Sequence, residues 1–160
     1  MKGFIARLFA RVEPILSEAG PRDAAALAAL HATAFQRGWS EDEVERLLLD
    51  RHVVAHRAMI GSALGGFILS RMAAGEAEIL SLAVAQRWRG RGLGGRLLEL
   101  HVRRLAGLGV AAVYLEVEDG NRPAIRLYGR AGFREVGRRP GYYTQQSGAL
   151  AAALVLRRDL

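Results

Sequence analysis

Between His52 and Val84 short apolar runs alternate with Gly-containing turns, and no run is long enough for a helix of ordinary length. The spans His52 to Met59, Ala63 to Met72 and Glu76 to Val84 therefore predict successive antiparallel strands. After the glycines at Gly90, Gly92 and Gly94 the period changes. Leu97, Leu98, Val102 and Leu105 recur at helical spacing with Arg96, Glu99 and Arg103 facing out, and Gly107 or Gly109 supplies the stop. Val110 to Glu118 returns to a period of two, with Val113, Leu115 and Val117 on one face and Tyr114, Glu116 and Glu118 on the other. Asn121 and Pro123 open a further helix through Arg130, ended by Gly132. Phe133 to Arg138 and Leu150 to Arg157 predict a closing hairpin whose polar loop carries Tyr142 and Tyr143. Nearer the start, Asp23 precedes a helix running to about Thr33, and Ser40 with Glu43 forms a capping box for another through Leu49.

Strand, helix and strand between Glu76 and Glu118 require a right-handed crossover and parallel pairing, whereas the rest reads as hairpins. The fold class is α/β, with a single mixed, mostly antiparallel sheet of about six to seven strands flanked by about four helices. A chain of 160 residues, 51% hydrophobic, suits one domain over residues 1–160 with one sizeable core.

The absence of cysteine excludes disulfides, a thiol nucleophile and cysteine-ligated zinc, and fits a reducing, cytoplasmic setting. His52 and His56 lie four apart on a strand, roughly 13 Å, so no metal site is expected. His31 and His101 read as single helix residues at surface or boundary positions. No apolar run approaches the roughly 20 residues of a membrane span. Arg7 and Arg11 interrupt the apolar start as an export signal, and Phe4, Ile5, Leu8 and Phe9 predict an amphipathic helix packed on the body. A net charge of +7 is carried mostly by dispersed arginines without interleaved aromatics, which suits a polyanionic small ligand or a ribosomal neighbourhood more than direct nucleic-acid binding.

The stretch LSLAVAQRWRGRGLGGRLL, Leu80 to Leu98, focuses that charge. A strand, a glycine-rich turn and a helix N-terminus in this order leave backbone N–H groups unpartnered at the positive end of the helix dipole, a seat for a diphosphate. The glycines let backbone approach the ligand closely, and Arg87, Arg89, Arg91 and Arg96 ring the same mouth.

These segments resemble the GCN5-related N-acetyltransferase (GNAT) superfamily, whose acetyl-CoA signature is matched by Arg89-Gly90-Arg91-Gly92-Leu93-Gly94. LSLAV precedes it, LLELHVRRL follows, and LEVEDGNRPAIRLYGRAGF comes at the expected distance. The chain is most similar to the bacterial RimI group of ribosomal-protein-alanine N-acetyltransferases, from Ala34-Phe35 and Trp39-Ser40 to Arg138-Arg139-Pro140-Gly141-Tyr142-Tyr143. It departs from that group at Ser147-Gly148-Ala149 and Ala152, which stand where the group has acidic residues and a methionine.

The resemblance implies acetyl-CoA as cosubstrate, with no metal, and a central parallel strand pair splayed around it. Leu82, Ala83 and Val84 would present backbone to the pantetheine arm, Arg89 and the run Gly90, Arg91, Gly92, Leu93, Gly94 and Gly95 would hold the diphosphate, and Asn121 would contact the cofactor. It makes Glu116 the proton acceptor and Tyr128 the proton donor, and a protein N-terminus the acceptor, with a ribosomal protein alanine foremost.

Without the resemblance, Glu116 reads first as a carboxylate on a solvated face or paired with an arginine, and Tyr128 reads equally as a core aromatic or a proton donor. Tyr142 and Tyr143 could close over a peptide N-terminus opposite a wall of Phe35 and Trp39, or simply pack. Another amine acceptor, a non-catalytic coenzyme A-binding module and an RNA-binding domain are the alternatives.

Overall fold

The computed structural model describes residues 12–145 and 147–160. Its strands are β1 (Ile15–Glu18), β2 (Val53–Ile60), β3 (Ala63–Ala73), β4 (Glu76–Val84), β5 (Ala112–Glu118), β6 (Arg134–Thr144) and β7 (Leu150–Asp159). The helices are α1 (Ala24–Ala34), α2 (Glu41–Leu49), α3 (Leu93–Gly107) and α4 (Arg122–Arg130). One sheet takes the order β1-β2-β3-β4-β5-β7-β6. Only β4 and β5 pair in parallel among the described strands, as the strand–helix–strand reading requires.

Local chemistry explains most boundaries. The Ser40 backbone N–H donates to the Glu43 carboxylate at 2.7 Å and the Glu43 N–H to the Ser40 hydroxyl at 3.2 Å, the reciprocal cap expected for α2. Asp23 behaves otherwise. Helix α1 starts where expected, yet the Asp23 carboxylate makes no cap; it accepts from the Gly20 N–H at 2.9 Å and pairs with Arg57 of β2. A nearly buried aspartate is better stabilised by a guanidinium than by a helix end alone. Strand β1 has no counterpart in the periodicity, because ILSE is too short to show one. The expected helix through Phe4, Ile5, Leu8 and Phe9 lies outside the described residues.

Each face of the sheet carries its own core. On one, Leu97, Leu98, Val102 and Leu105 of α3 and Tyr128 of α4 pack on Ile68, Val113, Leu115 and Leu156. On the other, Leu27 and Leu30 of α1 and Val44 of α2 pack on Phe67, Leu69 and Ala83. Burying each such side chain contributes about 1.5–3 kcal/mol. Gly66 lets α3 come this near: a Cβ there would stand 2.9 Å from the Ala83 carbonyl and 3.0 Å from Leu97 Cδ1.

A register shift opposite Leu69/Ser70 leaves Leu80 as an extra residue in β4. Before it, Ala77 and Ile79 face the α3 core; after it, Leu82 and Val84 do. The bulge thus turns Leu80 toward the α1–α2 side.

Candidate functional site

The opening at the centre of the sheet comes from how little β4 and β5 share. Their pairing covers Glu76–Ala112, Ala77–Val113 and Glu78–Tyr114 and then stops, although β4 continues to Val84 and β5 to Glu118. Beyond that point the strands diverge, leaving a slot edged by backbone. The Ala85 N–H donates to the Gly65 carbonyl at 2.8 Å, which sets the phase of the β3–β4 ladder. Alternate residues share a direction, so Ala83 bonds β3 while Leu82 and Val84 turn their N–H groups into the slot. The Val84 carbonyl accepts from Arg89 Nε at 2.9 Å. Of the expected arm-binding trio, Leu82 and Val84 edge the slot with their backbone; Ala83 is committed to β3 and the α1–α2 core.

At the mouth of the slot stands the glycine turn. Gly90 and Gly92 adopt φ of 71° and 82°, left-handed values that favour glycine, and Gly92 is the side-chain-free N-cap of α3. The first bond into the helix runs from the Arg96 N–H to the Gly92 carbonyl at 3.1 Å, so the amides of residues 90–95 have no acceptor among the described residues. Residues 86–96 contain no acidic side chain. Arg87 and Arg91 lie over the Trp88 ring at 5.0 and 5.1 Å, while Arg96 reaches Glu13 at 3.5 Å. Unpartnered backbone amides, the positive end of the α3 dipole and a cluster of arginines thus meet in one turn.

Glu116 projects from β5 on the face opposite Val113, Leu115 and Val117, and its side chain is 19% exposed. Its Oε1 lies 3.1 Å from Arg139 Nη2 of β6, so the reading of a carboxylate paired with arginine holds in this structure. Sequence reasoning missed Arg139 as the partner, since its register across β7 is a tertiary fact. Tyr128 sits on the other side of the sheet, 7% exposed, edge-on to Phe133 at 5.6 Å. Burial pushes its phenol's pKa up, which keeps the proton on oxygen. Its hydroxyl makes no hydrogen bond to a described residue, nor is it among the sealed polar atoms. Glu116 and Tyr128 lie on opposite faces of the sheet and are not in contact. Asn121 caps α4, accepting from the Ala124 N–H at 3.3 Å.

Phe35 and Trp39 are drawn together by His31. The imidazole stacks between them, with centroids at 4.4 and 4.1 Å, and its Nδ1 accepts from the Trp39 N–H at 3.1 Å. His31 is buried, and burial pulls its pKa down. Trp39 then lines a groove of about 440 Å³ with Glu43, Arg46, Leu47, Arg71 and Leu80, on the same side of the sheet as Glu116. Tyr142 and Tyr143 lie in β6, not in a loop. The strand runs through Pro140 and Gly141 because it is the sheet edge, where proline loses no ladder bond, and a wide register break between Arg139 and Tyr143 absorbs the extra residues. Tyr142 is 54% exposed with Arg139 at 5.6 Å from its ring; Tyr143 is placed by its backbone, opposite Ala151.

The surface or boundary positions expected for His31 and His101 are also corrected. His101 is fully buried, its Nε2 2.7 Å from the Ser70 hydroxyl and its Nδ1 2.8 Å from His56 Nδ1, so its polar atoms are satisfied inside the α3 core. Burial, with His56 beside it, lowers its pKa to about 3. Among the described residues no cluster could hold a metal ion.

The chain is 35% identical over 85 residues to the ribosomal-protein-bS18-alanine N-acetyltransferase of Escherichia coli, covering 53% of this chain and 57% of that relative. The chain spans less than two thirds of the length of the curated relatives it matches. The crystal structure of the Escherichia coli ribosomal-protein-S18-alanine N-acetyltransferase superposes with a TM-score of 0.86 at 26% identity, over 92% of this chain and 94% of that one. Arabidopsis thaliana NAA60 in complex with acetyl-CoA shares the fold, with a TM-score of 0.82 at 23% identity over 92% and 99% of the two chains. The profile of the acetyltransferase (GNAT) family matches residues 24–133, from α1 through α4 to Phe133, and by that match over most of its length the chain belongs to this family.

Proposed function

We propose that this chain is a single-domain, acetyl-CoA-dependent N-acetyltransferase that modifies the α-amino group of a protein, with the N-terminal alanine of the eighteenth small-subunit ribosomal protein as acceptor. The observation that carries the reading is the slot itself: a half-unpaired parallel pair whose open edge leads to the unpartnered amides of residues 90–95. A diphosphate fits those amides, and a pantetheine-like arm with its own amides can pair with the inward backbone of Leu82 and Val84. The likeness in fold to the Escherichia coli enzyme, over 92% of this chain and 94% of that one, supports the acceptor assignment. The same relative makes a cytoplasmic setting the natural one, and no described helix is long and apolar enough to cross a membrane.

Acetyl-CoA supplies an acyl group activated as a thioester. The chain's own residues do the rest. An α-amino group, with a pKa near about 7.7–8.0, arrives largely protonated and must lose a proton before it attacks. Glu116 takes that proton, directly or through a water, from the α1–α2 side. Tyr128 Oη, kept protonated by burial, gives a proton from the α4 side to the coenzyme A thiolate sulfur that departs as the new C–N bond forms and the thioester C–S bond breaks. Both substrates occupy the slot together, so attack is direct and no acyl-enzyme forms. A panel of peptides differing only in the first residue, assayed with acetyl-CoA, tests the acceptor class. Preference for alanine supports the reading; indifference to that residue, or better transfer to a lysine side chain, overturns it.

A further inference from the structure

The catalytic carboxylate is already occupied by a cation of the protein's own. Arg139 Nη2 stands 3.1 Å from Glu116 Oε1, within the reach an acceptor ammonium would need to hand over its proton. A guanidinium and an acceptor ammonium cannot both fill that position.

The architecture favours exchange over permanence. Glu116 is mostly covered, but the Arg139 side chain is 58% exposed, so its head returns to water at little cost. Glu116 pairs across β7 with Val155, which faces Gly137 of β6, so no β6 side chain stands directly in line with the carboxylate. Arg139 reaches it from two residues further along, at the last position before the register breaks. The break, with Gly141 at φ 65°, lets the chain turn back so that the Tyr142 ring lies 5.6 Å from the same guanidinium. The aromatic face and the carboxylate hold the guanidinium in the same place.

Resting on the assignment of Glu116 as proton acceptor, we infer that Arg139 is a built-in stand-in for the acceptor's ammonium: it closes the carboxylate when no acceptor is present and yields to the incoming amine. Arg139 is a gating residue here, and no proton passes through it. Acceptor binding is then a competition with an internal cation, while the bound complex reacts as though the arginine were absent.

The test pairs Arg139→Gln and Arg139→Lys with Glu116→Gln, using an alanine-initiated peptide and acetyl-CoA. Arg139→Gln is expected to lower the peptide KM about two- to fivefold, with kcat and the acetyl-CoA KM unchanged. Arg139→Lys, which keeps the charge, is expected to return the peptide KM toward the parental value. Calorimetric titration of the same peptide in the presence of coenzyme A should show the same tightening in Arg139→Gln. A merely structural arginine would give a raised KM or a reduced kcat instead. If Glu116→Gln abolishes turnover while Arg139→Gln leaves the peptide KM and Kd unchanged or weaker, the gate is wrong and the base stands. If Glu116→Gln turns over at the parental rate, base and gate fall together.

Discussion

On the β4–α3 side of the opening the groups we propose for ligand binding are backbone: the inward amides of Leu82 and Val84 and the free amides of residues 90–95. On the other side they are side chains, the Trp39 ring propped by His31 and the Glu116 carboxylate, which Arg139 covers. Backbone donors are the same whatever the residue, so the first side depends on conformation and charge, and a short pattern of glycines and arginines records it. Side chains from α1, β5 and β6 meet only through folding, and changing one changes what is recognised. On the proposed function, the cofactor side is therefore the general half of the site and the acceptor side the particular one.

Removing the two proposed proton-transfer groups gives the largest effect. Glu116→Gln and Tyr128→Phe should each slow turnover by about 10²–10⁴-fold while calorimetric binding of coenzyme A stays parental. Full activity in either variant removes that residue from the mechanism.

Straining the backbone half comes next. Gly92→Ala meets no atom within 4 Å, so the change acts through its φ of 82° alone, at about 1–2 kcal/mol. Acetyl-CoA affinity should fall about tenfold with the peptide KM intact. Trp39→Ala should do the reverse, weakening peptide binding and sparing acetyl-CoA; equal losses for both ligands would erase the division between the halves.

The smallest effect is on stability and concerns the core between them. His101 and His56 both have pKa values held below the ordinary 6.5 by burial, so the unfolded chain binds more protons in mild acid. Their contribution is full above about pH 6.5 and is lost as pH falls toward about 3. Denaturant titrations at pH 7 and pH 5 should show the lower stability at pH 5, with a flatter dependence in His101→Leu. An identical pH slope in that variant would exclude the histidine pair as its origin.

Local rules made much of this legible. The capping box at Ser40 and Glu43, the two-residue alternation of Val113 to Glu118 and the glycine punctuation around α3 each act within a few residues. They were readable because a helix end or a strand face is decided by neighbours in the chain. Strand β1 was too short to carry a period, and the Arg-Arg-Pro-Gly run looked like a turn until the sheet made it an edge. His31, His56 and His101 could not be distinguished from surface histidines, because their partners lie on other elements.

Chain order and composition were enough to specify most of the elements and the parallel crossover, and to propose an anion seat after β4, since those follow from propensity, capping and the helix dipole. Folding alone settled where β4 and β5 part, that Ala83 faces β3 and not the slot, and that Arg139 reaches Glu116 across β7. Those outcomes depend on register and bulges, which balance packing over a whole sheet and leave no mark in any short stretch of residues.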